Sequence, residues 1–135
     1  MEPSRILIID DEPVICDGCC FVLSEKAYSV DACQTGREGL DTLLRGKYDL
    51  ALLDLKLPDM DGMEILRIVK NDKPDVYIII MTGYSIVKNA VEAMKLGAFD
   101  YLAKPFSDDE LIFAVEKAIE NKRLKEENLS LRKQL

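Results

Sequence analysis

The feature that most constrains the fold of this chain is a fivefold alternation of strand-like and helix-like patterns. Strands are predicted near residues 5–9, 28–32, 49–53, 77–81 and 99–102. Four of these runs are dominated by aliphatic residues, which is typical of strands covered on both faces, whereas the second alternates and suits a sheet edge. Short connections between such units predict a doubly wound α/β fold, with a five-stranded parallel sheet and helices on both faces. The spacing alone leaves the strand order open.

Local chemistry marks several helices. Thr35 with Glu38 and Ser107 with Glu110 are candidate capping boxes at two helix starts. For the fourth helix, the apolar periodicity predicts an inward stripe formed by Val87, Ala90, Val91 and Met94.

The last helix is predicted to continue beyond a body at 1–120, because residues 121–135 lack Gly and Pro and are rich in Lys, Glu and Leu. One seam of this extension is formed by Asn121, Leu124, Asn128, Leu131 and Leu135. Asparagine at such positions can fix the register of a two-stranded coiled coil, so a homodimer is expected. Two heptads are short, and a solvated extension or interdomain linker remains open.

Length, composition and charge exclude several classes of protein. With 135 residues, 48% hydrophobic and 32% charged, the chain is expected to be a soluble globular domain. The net charge of −7 argues against direct nucleic-acid binding, which needs cations for the phosphates. The longest apolar runs fall short of the roughly 18 residues of a membrane span, and no secretory signal is recognisable. A cytoplasmic location without membrane contact is therefore expected.

Four cysteines fit that compartment as reduced thiols that fill the core. Cys16, Cys19 and Cys20 fall within a predicted helix, and Cys33 follows the second strand. A zinc cluster is the alternative, but the chain has no histidine, and a helical Cys-x-x-Cys-Cys run is a poor tetrahedral ligand set.

Polar residues follow four of the predicted strands. Asp10 and Asp11 come after the first, Asp54 after the third, Thr82 after the fourth and Lys104 after the fifth. In an open parallel sheet the carboxyl ends of the strands share one edge, where ligands bind beside the point at which strand order reverses. Each motif alone could be a turn or a helix cap. Their common placement predicts one site.

The expected chemistry of this site is phosphoryl transfer assisted by a metal. Three carboxylates repel one another unless a cation joins them, and Mg²⁺ with oxygen ligands and retained waters fits best. Two carboxylates suffice to hold it, which leaves a third as a nucleophile toward phosphorus. Asp54 is the expected acceptor because it ends the most buried predicted strand. Lys104 and the metal would neutralise phosphoryl oxygens, and Thr82 would donate a hydrogen bond.

The motifs around these residues resemble the receiver domain of two-component response regulators, over about residues 4–120. The matching segments are residues 8–12, 54–62, 81–83 and 100–106. The resemblance implies the sheet order 2-1-3-4-5. It also implies that Asp54 takes a phosphoryl group from a histidine kinase. Mg²⁺ would be bound by Asp11 directly, by Asp10 mainly through water, by Asp54 and by the backbone carbonyl of Lys56.

The same resemblance implies a switch. Thr82 and Lys104 would hold the phosphoryl oxygens, and Tyr101 would turn inward as Thr82 moves. The face formed by helix four, strand five and helix five would then change its partner contacts, including dimerisation. Lys56 and Tyr84 flank the expected line of water attack, which suggests slow self-hydrolysis.

Residues 81–84, 97–106 and 126–129 further resemble sigma-54-dependent transcription activators, which continue into an ATPase and a DNA-binding domain. The chain would then be a regulatory fragment. Two other classes remain open. An aspartyl phosphatase of the haloacid-dehalogenase type usually has an aspartate two positions after its nucleophile, where this chain has Lys56. A module whose acids only bind Mg²⁺ would take up no phosphoryl group.

Overall fold

The computed structural model describes residues 2–83 and 87–134; the side chains at positions 87, 88 and 134 lie outside the described part. Strands and helices alternate along the described chain. Their bounds are β1 (Arg5–Ile9), α1 (Pro13–Glu25), β2 (Ser29–Cys33), α2 (Gly36–Arg45), β3 (Leu50–Asp54), α3 (Gly62–Asp72), β4 (Tyr77–Thr82), α4 (Val87–Lys95), β5 (Asp100–Ala103) and α5 (Asp108–Gln134). Every predicted strand is present, and its ends lie within one residue of the predicted bounds.

The described strands form one parallel sheet in the order β2-β1-β3-β4-β5. This confirms the doubly wound α/β fold and the strand order that the family resemblance implied. β2 lies at an edge, as its alternating sequence predicted. The strand order reverses between β1 and β3, so the crevice at their carboxyl ends is the place where such sheets bind ligands.

Side chains of the sheet alternate between two cores. Ile6 and Ile8 of β1 pack with buried residues of α1 and α5, among them Leu23 and Val115. Leu7 packs on the opposite face, with residues of α2, α3 and α4. Every residue of β3 is buried. Helices therefore cover both faces of the sheet, as predicted.

Both candidate capping boxes stand at helix starts. The Thr35 hydroxyl accepts the N–H of Glu38 at 3.2 Å, at the start of α2. At the start of α5 the exchange is reciprocal: the N–H of Glu110 donates to Ser107 Oγ at 3.1 Å, and the N–H of Ser107 donates to the Glu110 carboxylate at 3.0 Å. These bonds satisfy amides that lack partners inside a helix.

All four cysteines are free thiols, and three of them, Cys16, Cys19 and Cys33, are buried. The burial of these three agrees with the prediction that the cysteines fill the core, while Cys20 is half-buried. Burial is the main reason that the pKa of Cys16 rises to about 11 and that of Cys19 to about 12. Both thiols therefore remain protonated at neutral pH.

The predicted inward stripe of α4 is wrong at Val91 and Met94. Ala93 is the residue of α4 that is fully buried, whereas Val91 and Met94 are 48% and 44% exposed. Ala90 is half-buried, and the side chain of Val87 lies outside the described part. Large aliphatic side chains of α3 and β4 already fill this core, so a methyl group suffices on the inner side of α4. Val91 and Met94 consequently face outward.

α5 continues well past the body, as predicted, and its extension is fastened at the base. The Tyr77 hydroxyl donates to Asn121 Oδ1 at 2.7 Å. Lys122 Nζ lies 3.6 Å from Asp49 Oδ1 and also pairs with a glutamate one turn later. At a rise of about 1.5 Å per residue, the helix is roughly 40 Å long. Across the described residues, α5 included, every helix is too short or too polar to cross a membrane.

The predicted dimer seam follows one side of this extension. Leu124 and Leu131 are 51% and 60% exposed, and Asn128 is also exposed. Asn121 uses its amide oxygen within the chain, and Leu135 lies outside the described residues. The exposed leucines are free to meet another helix.

Gly62, the first residue of α3, lies against the backbone that leads out of β3. A Cβ atom there would stand 2.6 Å from Leu55 Cα and 2.7 Å from the Asp54 carbonyl oxygen. Both are backbone atoms, so the crowding could be relieved only by moving β3 or α3. Gly18, in the middle of α1, is the opposite case, because an added Cβ would meet nothing within 4 Å.

Gly62→Ala is expected to lower the free energy of unfolding by about 1–3 kcal/mol, the usual cost of overpacking. Gly18→Ala is the matched control and should raise it by about 0.5–1 kcal/mol, because alanine favours a helix over glycine. Urea denaturation of both variants measures the difference. Equal stabilities for the two variants would contradict the close approach of α3 to β3.

Candidate functional site

The strand register brings the polar residues to the same edge of the sheet. Asp10 follows the last residue of β1, which pairs with the residue before Asp54 in β3. Thr82 ends β4 and pairs with the last residue of β5, which precedes Lys104. Neighbouring strands therefore deliver carboxylates, a hydroxyl and an ammonium to one edge.

Asp10 is completely buried and is held from several sides. Its N–H donates to the carbonyl of Cys33 at 3.1 Å, and its Oδ1 accepts the N–H of Glu12 at 2.9 Å. The Cys16 thiol donates to its backbone carbonyl at 3.3 Å. Its Oδ2 accepts no hydrogen bond of good geometry from the described residues and is instead ion-paired with Lys104. Asp10 thus presents one buried, negatively charged oxygen to the site.

The ammonium of Lys104 lies between carboxylates. Its Nζ is 2.6 Å from Asp10 Oδ2, 3.4 Å from Asp54 Oδ2 and 3.9 Å from Glu12 Oε1. Burial disfavours the charged form of Lys104, but the contact with Asp10 and the charges of Asp54 and Glu12 outweigh it and raise its pKa. Lys104 therefore stays protonated and offsets part of the negative charge of the site.

Asp54 is buried at the end of β3, with its two oxygens in different roles. Oδ1 accepts the N–H of Lys56 at 3.1 Å, and Oδ2 faces Lys104. Burial raises the pKa of Asp54 and the charge of Asp10 adds to the rise, while the Lys56 amide and Lys104 oppose it. One oxygen of Asp54 is therefore fixed by an amide, and the other lies beside a cation.

Thr82 and Tyr101 occupy the two strands beyond Asp54. Thr82 is buried, and its carbonyl accepts the N–H of Lys104 at 2.7 Å, which ties β4 to the segment after β5. The Lys104–Pro105 peptide bond is cis. Tyr101 lies on the edge strand β5 and is 39% exposed. Tyr84, expected beside the line of water attack, lies outside the described residues.

Three carboxylates at the end of β1 form a group that suits a metal. Oxygens of Asp10, Asp11 and Glu12 all lie within 4.8 Å of one another, and only Asp10 of the three is buried. An all-oxygen donor set with one buried and two exposed carboxylates fits a hard divalent cation such as Mg²⁺. Sequence reasoning gave Glu12 no ligand role; its position directly after the Asp-Asp pair was the available signal. Asp54 is linked to this group because Lys104 forms ion pairs with both Asp10 and Asp54.

The loop between β3 and α3, residues 55–61, forms the other wall. Lys56 makes an isolated antiparallel bridge with Asp61, and the N–H of Gly62 donates to the Leu55 carbonyl at 3.1 Å. An open cavity of about 620 Å³ lies between this loop and Asp11. Asp54 and Lys104 lie beside this space and are not among the residues that line it. The sheet edge therefore offers a buried carboxylate, a neighbouring ammonium and further carboxylate oxygens. Such a combination can support transfer of a phosphoryl group.

Curated proteins similar to this chain include transcriptional regulatory proteins. The transcriptional regulatory protein DltR of Streptococcus agalactiae serotype III (strain NEM316) is 40% identical over 108 residues, which cover 80% of this chain and 48% of DltR. The transcriptional regulatory protein ZraR of Klebsiella oxytoca is 37% identical over 125 residues, which cover 93% of this chain and 28% of ZraR. The chain spans about half the length of the first relative and under a third of the second.

Solved structures are similar to this chain as well. A response regulator receiver domain protein from Methanospirillum hungatei JF-1 superposes with a TM-score of 0.88 at 32% identity and covers 91% of this chain and 98% of its own. NtrX from Brucella abortus superposes with a TM-score of 0.92 at 31% identity and covers 97% of this chain and 30% of its own. Residues 6–116 match the response regulator receiver domain as a family. As its motifs predicted, the chain belongs to the response regulator receiver domain family.

Proposed function

We propose that this chain is a phosphorylation-dependent regulatory receiver domain that accepts a phosphoryl group on Asp54 from a histidine kinase. The observation that carries the proposal is the contact of Lys104 with both Asp10 and Asp54 at one sheet edge. Phosphorylation-dependent switching is general for response regulator receiver domains. The proposal adds that Asp54 is the residue that is phosphorylated. Its support is a buried carboxylate whose two oxygens face an amide and an ammonium.

In the proposed reaction, a carboxylate oxygen of Asp54 attacks the phosphorus of a phosphohistidine on the kinase. The oxygen–phosphorus bond forms as the nitrogen–phosphorus bond breaks, and the imidazole leaves with a proton from solvent. Lys104 binds a phosphoryl oxygen as the charge redistributes. Mg²⁺, held by Asp10, Asp11, Asp54 and the carbonyl of Lys56, would supply further charge neutralisation. Slow hydrolysis by water, hindered by the Lys56 side chain, returns Asp54 to the carboxylate.

The proposed switch follows from the added charge. A phosphoryl group brings about two negative charges and three acceptor oxygens. The Thr82 hydroxyl, at the end of the strand beside Asp54, donates to one of them. Tyr101, which is partly exposed on β5, turns into the space that Thr82 leaves, and the face formed by α4, β5 and α5 changes.

The proposed consequence is altered dimerisation. The α4 side of the switching face carries exposed Val91 and Met94, and the extension at 121–135 carries exposed Leu124 and Leu131. These apolar surfaces could pack against the same surfaces of a second copy. Residues 1–120 would form the receiver body, and 121–135 would transmit the change to downstream ATPase and DNA-binding domains of a sigma-54-dependent activator. We place this activity in the cytoplasm.

Asp54→Asn is expected to abolish phosphorylation, because an amide oxygen is a poor nucleophile toward phosphorus. The chain is incubated with acetyl phosphate and Mg²⁺, and intact mass spectrometry counts the phosphoryl groups. Asp41→Asn, which changes an exposed carboxylate of α2 that pairs with Arg45, is the control and should label like the wild type. Normal labelling of Asp54→Asn would refute the acceptor. Mg²⁺ binding without labelling of the wild type would favour a metal-binding module, and turnover of phosphate esters would favour a phosphatase.

Thr82→Ala should still label at Asp54 but respond weakly. Loss of a hydrogen bond to a charged group costs about 1.5–3 kcal/mol, which shifts the switch equilibrium by roughly tenfold or more. Sedimentation analysis before and after phosphorylation measures the response. A wild-type change in oligomeric state from the phosphorylated Thr82→Ala chain would contradict the role of Thr82.

Met94→Asp should weaken the dimer at least about tenfold, because it removes an apolar contact and buries a charge in the interface. Phe21→Asp is the matched control: Phe21 is 67% exposed on α1, away from α4, and its replacement should leave the dimer intact. Analytical ultracentrifugation measures the dissociation constant of the dimer for both variants. A chain that stays monomeric with and without phosphorylation would exclude this mode of dimerisation.

A further inference from the structure

The tip of the β3–α3 loop is bound to α2, a helix that takes no part in the proposed chemistry. Asp59 Oδ1 accepts the N–H of Gly36 at 2.8 Å, and Asp59 Oδ2 accepts the N–H of Arg37 at 2.9 Å. These are the first amides of α2, which have no acceptors inside the helix. They also lie at the positive end of the helix dipole, where a carboxylate is favoured. The Arg37 amide, followed by the Gly36 amide, lowers the pKa of the Asp59 carboxyl.

α2 already has a cap from its own connection. Thr35 accepts the N–H of Glu38, a donor different from the two that Asp59 serves. Thr35 belongs to the segment that leads into α2, whereas Asp59 reaches it from a loop more than twenty positions away in sequence. The bonds of Asp59 therefore connect two separate parts of the fold, and they hold the loop as much as they cap the helix.

A second observation shows that the loop and α2 are built to approach closely. A Cβ atom on Gly36 would lie 3.0 Å from Ile65 Cδ1 and 3.1 Å from both Leu57 Cδ1 and Met60 Cβ. Leu57 and Met60 belong to the same loop as Asp59. A glycine at the start of α2 lets the loop come near enough for the carboxylate to reach both amides.

The base of this loop is tied to the candidate site. The Lys56 N–H donates to Asp54 Oδ1, and Lys56 bridges to Asp61 across the loop. Asp61 in turn caps α3 by accepting the N–H of Met63 at 2.9 Å. The loop is thus closed near Asp54 at its base and fastened to α2 at its tip.

We infer that Asp59 is a positioning residue for metal binding, because its carboxylate anchors the β3–α3 loop, and with it the Lys56 backbone, to the start of α2. The inference rests on the proposed function, which assigns the Lys56 carbonyl to Mg²⁺. Without the anchor the loop would sample more conformations, and part of the binding free energy would be spent on ordering it. Groups that orient metal ligands typically change affinity about 10- to 100-fold when they are removed.

The test compares Asp59→Ala, Asp59→Asn and Thr35→Ala with the wild type. Asp59→Ala should raise the Mg²⁺ dissociation constant about tenfold, measured by isothermal titration calorimetry. It should also speed amide hydrogen exchange at residues 36, 37 and 56. Thr35→Ala removes another acceptor from the start of α2, so the two alanine variants should lose a similar few degrees of melting temperature. Thr35→Ala should nevertheless leave the dissociation constant within about twofold of the wild type.

Asp59→Asn separates anchoring from charge. The asparagine keeps one acceptor oxygen but loses the negative charge, so anchoring predicts a dissociation constant between those of Asp59→Ala and the wild type. A purely electrostatic effect predicts equal losses in both variants that vanish at about 0.5 M salt, because exposed charges are then screened. That result would overturn the inference. Wild-type affinity in Asp59→Ala, or equal weakening in Asp59→Ala and Thr35→Ala, would overturn it too.

Failure of the inference is distinguishable from failure of the proposed function. Phosphorylation of Asp54 by acetyl phosphate is measured on the same wild-type sample. A chain that binds Mg²⁺ but takes up no phosphoryl group contradicts the proposed function, and the affinity comparison among the variants still decides the role of Asp59. A labelled wild type with an unchanged Asp59→Ala affinity contradicts the anchoring role alone.

Discussion

The ammonium of Lys104 between the carboxylates of Asp10 and Asp54 is the contact on which the site depends. Two carboxylates that leave adjacent buried strands would repel each other in a medium of low dielectric constant, and the lysine compensates for this. The same residue ties β5 to β4, because its N–H donates to the Thr82 carbonyl. Lys104 thus both neutralises charge in the site and connects β4 with β5, the strands that are expected to respond to a phosphoryl group. A phosphoryl group on Asp54 would compete for this cation, which gives the proposed switch its physical basis.

The other wall of the site is organised by the backbone. Gly62 allows α3 to begin against the end of β3, and the Lys56–Asp61 bridge closes the loop between them. Asp59 then joins the tip of the loop to α2. Side chains of the loop, among them Leu57, pack into the core under α2 and α3. The segment that follows Asp54 is therefore held by two helices, and its geometry depends on how those helices pack on the sheet.

Much of this architecture could be predicted from the sequence. The strands were predicted to within one residue, because continuous aliphatic runs bounded by polar or turn residues are typical of strands that are buried on both faces. The polar residues at the strand ends were identified because they directly follow these aliphatic runs. The inward stripe of α4 was predicted wrongly, since hydrophobicity ranks Val91 and Met94 above alanine while the crowded core admits only Ala93. Glu12 and Asp59 received no role in the site from the sequence, because an exposed acid looks the same whether or not it has a partner.

The sequence by itself determined the class of fold, the order of elements along the chain and which polar residue types lie at the sheet edge. These properties follow from patterns among residues that are close in sequence. The tertiary structure alone decided which carboxylates face Lys104, which side of α4 is exposed and which segment supplies hydrogen-bond acceptors to the start of α2. Such choices depend on the space and charge left by residues distant in sequence, as when Asp59 meets the amide of Gly36. No local pattern predicts this contact, because it forms only once the sheet and its helices have packed.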